Sequence, residues 1–507
     1  MFRRTAVFAG LAAIALALSA CAPSAPAQPS PSATGPSATG SPVADGELVV
    51  GLVLEPDNLD IRHTSGAALE QILVDNIYQG LVTRDEENKI IPALATDYTV
   101  SPDGLTYTFT LNEGVVFHGG QPLTSADVVA SYTTVKTDAT VIGNREFANV
   151  ATVTAPDAST VVITLTEPDI NFLFTLTTPA GLVFSAADTT TDLKTAANGT
   201  GPFLFDSWKR KDSITFKRND AYWSDAAQLA EVTFVYIPDF TAGVNAATTG
   251  DLDVLTAVDP NLAVNFDGTD FVITTGKTTD KATLAFNNKK APLDNVKVRE
   301  ALRMAINHEA VITAVGSGVE QFGPIPELDP GYEDLSDVVS YDPEGAKKLL
   351  EEAGVKDLQL TLTIPSFYGT TVTKQLVSDF NAIGVTLKIE NVEFPTWLND
   401  VYTNHDYDLS FVLHVEPRDF SNWANPDYYF GYDNKKVQQL YADALATTDE
   451  AQSEKLLAEA ARIVSEDHAA DWLYTGATLT AHLPKVTGFP MNSVNSRINL
   501  ANVAIVE

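Results

Sequence analysis

Leu358-Gln-Leu-Thr-Leu-Thr-Ile364 alternates apolar with polar side chains, and the alternation returns at Val385-Thr-Leu-Lys-Ile389. A period of two marks half-buried β-strands. Between the two runs, about Thr371 to Ile383 reads as a helix that stops at Gly384, a residue suited to a helix C-terminus. Strand, helix and strand at this spacing imply a parallel pair joined by a crossover helix. The chain is therefore expected to be of the α/β class, with mixed sheets flanked by helices.

Working outward, the C-terminal side is helical. Asp449 to Ser465 is a long amphipathic helix, and Asp342-Pro343 opens another as N-cap and first-turn proline, closed by Gly354. Val298, Ala301, Leu302, Ala305 and Ile306 form one apolar stripe of a helix. The N-terminal side is strand-rich. Leu105-Thr-Tyr-Thr-Phe-Thr-Leu111 and Val161-Val-Ile-Thr-Leu165 read as strands, and Thr124-Ser-Ala-Asp127 has the spacing of a capping box. Strand-rich early, βαβ in the middle and helix-rich late points to several lobes, as does the length.

The first 21 residues have a different character. Arg3 and Arg4 precede an apolar run from Ala6 to Leu18, too short for an ordinary membrane span and suited to a signal peptide. Leu18-Ser-Ala-Cys21 ends it, and Cys21 is the only cysteine among 507 residues. This segment, residues 1–20 and then Cys21, resembles a bacterial lipoprotein signal, which implies lipid on Cys21 and attachment to the outer face of the cell membrane. No disulfide is possible. Residues 21–46 are almost wholly Pro, Ser, Ala, Thr and Gly, with Pro31-Ser-Ala-Thr-Gly35 repeated at 36–40. Such a composition buries too little to order itself. About 25 residues at ~3.3 Å each reach roughly 80 Å, so it is expected to be a leash.

The net charge is −34, with 45% hydrophobic and 19% charged residues. That field argues against nucleic acid and against lying on anionic lipid, leaving the lipid as the only expected membrane contact. Enzyme chemistry finds no support. His308-Glu309 begins like a zinc-protease helix, but position 312 is Ile, and Gly316-Ser317-Gly318 lacks a nucleophile-elbow context. The seven histidines are scattered, so neither a metal site nor a cofactor is expected.

The order of short motifs resembles one family, the extracytoplasmic solute-binding proteins, family 5, of peptide and nickel ABC importers. The motifs are Asn76-Ile-Tyr-Gln-Gly-Leu-Val82, Pro92-Ala-Leu-Ala-Thr96, Ser101-Pro-Asp-Gly104, Val116-Phe-His-Gly-Gly120, Gly199-Thr-Gly-Pro-Phe203, Tyr222-Trp223, Phe286-Asn287 and Val298-Arg-Glu-Ala-Leu302. His308 and Gly119 depart from the family's frequent Asp. The resemblance implies a two-lobed clamp with a hinged cleft and an additional small domain. Its boundaries would be 47–80, 198–276 and 477–507 for a discontinuous lobe I, 81–197 for the small domain and 277–476 for lobe II, with hinges near Lys277 and Thr475. It also implies a monomer that captures oligopeptides or dipeptides and hands them to ABC permease subunits with their ATPases. The alternatives are a chelated metal or another small organic solute in the same family, and, in a different class, an exported hydrolase.

A peptide needs a carboxylate for its ammonium and a cation for its carboxylate. His63-Thr64-Ser65-Gly66 resembles the family's backbone-contacting segment; Thr64, Ser65 and Gly66 are equally readable as a loop with Ser65 capping the next helix. His414-Val-Glu-Pro-Arg-Asp-Phe-Ser-Asn-Trp423 resembles the loop that holds the ammonium-pairing acid. Asp419 is the expected anchor, with Glu416 behind it, and His414 opens the loop. Arg418 could take a carboxylate or be a plain loop arginine. Trp397 and Trp423 could wall a pocket or belong to the core, and Tyr428, Tyr429 and Tyr432 follow closely.

Overall fold

The computed structural model describes residues 40–507 except 44, 495 and 496. The signal segment, Cys21 and nearly all of the leash lie outside the described residues.

The βαβ reading is met directly. Gln359–Pro365 and Thr386–Val392 pair in parallel, and the helix Thr371–Ala382 connects them. Gly384 adopts φ 81°, which suits glycine after a helix end. These strands form one edge of a ten-stranded mixed sheet. From that edge the order is Thr386–Val392, Gln359–Pro365, Leu409–His414, Val272–Phe286, Ala470–His482, Val254–Leu255, Gly46–Leu52, Leu229–Tyr236, Ser213–Arg218 and Phe203–Lys209.

Among the described residues four apolar cores include residues of this sheet, and two of them mark its two halves. One gathers Leu48, Val50, Phe216, Val232 and Phe234. The other gathers Leu284, Phe286, Leu302, Leu362, Leu376 and Phe411. The predicted apolar stripe lies in the second: Val298, Ala301 and Leu302 are buried on the helix Val296–Met304. Asp342 caps Pro343–Glu352, its side chain accepting from the Gly345 N–H at 2.9 Å. The late helix runs Glu450–Glu466 and starts at the Asp449 cap.

A separate four-stranded sheet, Ala95–Val100, Thr106–Leu111, Thr160–Leu165 and Val150–Thr154, has its own core around Phe109, Tyr132, Phe147 and Ile163. The Thr124 box is present: Asp127 accepts from the Thr124 N–H at 2.9 Å as Ser125–Thr137 begins. Satisfying first-turn donors in this way anchors the helix against the sheet.

The ends of the described body meet. Pro42 bridges Val506, and the Val43 N–H donates to the Ile505 carbonyl at 2.8 Å. No helix among the described residues is long and apolar enough to cross a membrane.

Candidate binding site

The strands Val272–Phe286 and Ala470–His482 run antiparallel along much of their length, and the register of their ladder shifts twice, at Lys277/Lys281 and at Ala282/Thr283. Lys277 pairs with Ala477 and Lys281 with Thr475, so Thr278, Thr279 and Asp280 stand opposite Gly476 alone. An extra stretch on one strand bends it and re-aims its side chains. Here it delivers Lys281 into the interior, only 2% exposed. Its ammonium donates to the carbonyls of Thr279 (3.1 Å) and Glu416 (2.9 Å) and pairs with Asp419 at 3.1 Å. A buried ammonium is tolerable only with such company.

The loop after Leu409–His414 carries the remaining groups. His414 lies opposite Lys281 in the ladder. Its Nε2 is 2.9 Å from the Tyr429 hydroxyl, and its Nδ1 is 3.7 Å from Asp419. Burial pulls the imidazole down to about 4, against the pull of Asp419, so it is neutral at pH 7. Burial acts oppositely on Asp280, pushing its carboxyl up to about 6, with Glu416 adding and Lys281 opposing. Among the described residues neither the Asp280 nor the Glu416 carboxylate accepts a hydrogen bond. Two uncommitted acids beside a committed ion pair form a place where a cationic group is favoured.

Arg418 faces another way. Its φ is 54°, an unusual conformation for arginine, and its N–H donates to Asp329 at 2.7 Å. The guanidinium reaches Asn171 at 3.3 Å and lies over the Phe174 ring at 4.4 Å. It therefore touches the 81–197 segment rather than standing free in solvent.

The tryptophans are core residues here. Trp397 donates to Ser410 Oγ at 2.9 Å, and Trp423 stacks on Phe430 at 4.1 Å; they are 5% and 3% exposed. Tyr429 and Tyr432 join the same cluster, which leaves Tyr428 half-buried at its margin. Exposed Phe367, Phe394 and Tyr402 continue it to the surface.

Thr64, Ser65 and Gly66 are not brought to this loop by any hydrogen bond or ion pair among the described residues. Thr64 bonds Asn58, and Ser65 is exposed. The cap of Ala67–Leu73 is Gly66, not Ser65: with φ 136° the glycine makes the turn into the helix without any side-chain bond.

Lys281, Asp280 and Tyr368, whose hydroxyl accepts from the Leu413 N–H at 3.0 Å, escaped the sequence reading. One signal was available. Asp280-Lys281 places two charges at the head of the apolar run Ala282 to Phe286, where a strand buried on both faces has no use for them. Among the described residues no group of three His, Cys, Asp or Glu is placed to hold a metal ion.

Comparison with known proteins agrees with this architecture. Residues 89–440 match the profile of "Bacterial extracellular solute-binding proteins, family 5 Middle". The glutathione-binding protein GsiB of Escherichia coli O1:K1 / APEC is 27% identical over 477 residues, covering 87% of this chain and 91% of that protein. The fold of HbpA2 from Haemophilus parasuis superposes with a TM-score of 0.83 at 22% identity, over 91% of this chain and all of that one. DppA from Helicobacter pylori, in complex with the peptide STSA, gives 0.72 at 24% identity over 91% of this chain and 98% of that one. The chain belongs to the family 5 bacterial extracellular solute-binding proteins, the binding components of ABC importers.

Proposed function

We propose that this protein captures short peptides outside the cell and delivers them to an ABC permease, held to the membrane by lipid on Cys21 and working as a monomer. One observation carries the peptide reading. Within six residues the 414–419 loop presents Glu416 and Asp419 beside the bulge at Thr278–Asp280, so acids for a peptide ammonium gather where the two long strands pass between two cores. Two relatives support it, since one is named for glutathione and another holds a peptide.

The bulge is the natural hinge between a lobe of 47–80, 198–276 and 477–507 and a lobe of 277–476, because unpaired ladder positions bend at least cost. Residues 81–197 form the additional domain. Closure around the solute excludes water and strengthens each charged contact. Asp419 is already paired with Lys281, so the ammonium is better served by Asp280 and Glu416, with Asp419 behind them.

Calorimetry on the full chain in detergent tests this with Ala-Ala and N-acetyl-Ala-Ala. Removing the ammonium is expected to weaken binding at least tenfold. Equal binding of both would show that the acids do not hold an amine, and no binding of either would remove short peptides as the solute.

A further inference from the structure

Arg84 is buried at 6% exposure, yet much of its guanidinium is idle. Nη1 donates to Asn88 Oδ1 at 3.0 Å, while Nε and Nη2 are buried with no hydrogen-bond partner among the described residues. Nε and Nη2 form the side-on edge of the guanidinium, the edge that grips both oxygens of a carboxylate through parallel bonds. Leaving charge-bearing donors buried and unpaired is costly, so an empty edge of this shape has the form of a site awaiting its anion.

The surroundings raise the demand. Arg418 Nε is also buried without a hydrogen-bond partner among the described residues. Both guanidinium groups lie over the same Phe174 ring, Arg84 at 4.7 Å and Arg418 at 4.4 Å. Arg497 lies close enough that it and Arg418 both disfavour the charge on Arg84. Nearby acids are spoken for. Asp75 pairs with Arg497 and accepts from Thr83, and Asp329 accepts from the Arg418 N–H and from Asn88. Glu70 favours the charged form of Arg84. In a chain of net charge −34, three arginines gathered around two engaged carboxylates run against the general composition.

The place is a junction. The turn at Asp85–Lys89 joins Val82–Arg84 to Ile90–Pro92 and touches lobe II through Asn88 and the Leu328 carbonyl at 2.8 Å. A cavity of about 420 Å³ is lined by Arg84, Arg497 and Asp75, with Asp85, Glu86 and Glu87 also on its wall. Arg418 lines a second cavity, with Asn88 and Asp329 on its wall.

We infer that Arg84 and Arg418, stacked on Phe174, form a subsite for a side-chain carboxylate of the solute, so that this protein prefers acidic peptides over their neutral isosteres. The inference rests on the peptide reading above. The edge is shut from solvent in the present arrangement, so the carboxylate enters when the contact between the turn and lobe II parts, and is enclosed when it re-forms.

The test compares Ala-Glu with Ala-Gln, which differ by one carboxylate, and with inorganic phosphate, by calorimetry on the full chain in detergent. Ala-Glu is expected to bind at least tenfold more tightly than Ala-Gln. Arg84→Gln should erase that preference while Ala-Gln binding stays within about twofold, and Arg84→Lys should restore only part of it. The bound fraction of Ala-Gln shows that each variant is folded. Equal affinity of the wild type for Ala-Glu and Ala-Gln overturns the subsite while leaving the peptide reading intact. A preference that survives Arg84→Gln overturns the assignment to Arg84. Binding of phosphate alone, with neither dipeptide, overturns both the subsite as a carboxylate site and the peptide reading.

Discussion

Arg303 and Arg84 are both buried arginines, and they spend their donors in opposite ways. Arg303, 1% exposed, gives Nε to Asp471 at 3.3 Å, Nη1 to the Ser465 carbonyl at 2.7 Å and Nη2 to the Phe322 carbonyl at 3.1 Å. Asp471 completes the arrangement by pairing with His308 at 2.8 Å. Arg299, one helical turn earlier, is spent likewise on the carbonyls of Leu293, Asp467 and His468. These arginines sew Val296–Met304 to the turn after Glu450–Glu466. Arg84 keeps an edge in reserve instead. A completed buried network reads as architecture, because its worth is already realised in the folded chain. An incomplete one costs stability until something arrives.

That contrast can be broken by substitution. Arg303→Ala removes the cation that faces Asp471 and takes one donor each from the Ser465 and Phe322 carbonyls in the core, and should cost about 4 kcal/mol, read by urea unfolding. A loss below about 1 kcal/mol would show that the network is not a structural clamp. Asp419→Ala strands the Lys281 ammonium and should cost about 3 kcal/mol; adding Lys281→Met should recover most of it.

Asp280→Asn belongs on the incomplete side and should act with the opposite sign. Its carboxyl sits near 6 in the fold against 3.8 in the open chain, so the folded state holds the extra proton between those values. The penalty is absent below about pH 4, grows as pH rises, and is complete above about pH 6. Asn should therefore stabilise by about 2 kcal/mol at pH 7 and by nothing at pH 3.5, while weakening ammonium binding. Unfolding midpoints across pH 3.5–7.5 check the slope, and a gain that does not vary with pH would refute the cause. The smallest expected effect is Arg84→Gln, within about 1 kcal/mol, because few bonds are lost. A loss as large as that of Arg303→Ala would erase the distinction between the two arginines.

Much of the fold was legible because its signals are local. The alternation at Leu358–Ile364, the cap at Asp342 and the box at Thr124 each act within a few residues of themselves. The loop at 414–423 was legible as charged, but the partner of Asp419 is Lys281, far away in the chain and placed by a bulge that no spacing announces. Trp397 and Trp423 show the same limit, since an aromatic ring carries no mark of which face its helix turns inward. Arg84 was passed over because the sequence around it is an ordinary short hairpin. Its interest comes from Phe174, on the short helix Phe172–Thr175, and Arg418, on the loop after Leu409–His414.

The bridge between Pro42 and Val506 has a practical corollary. A purification tag on Glu507 would emerge beside the root of the N-terminal leash, so immobilising the chain by either end presents it in nearly the same orientation. A few residues joining 507 to 41 would close the backbone into a ring, and new termini could then be opened at an exposed turn such as Gly268.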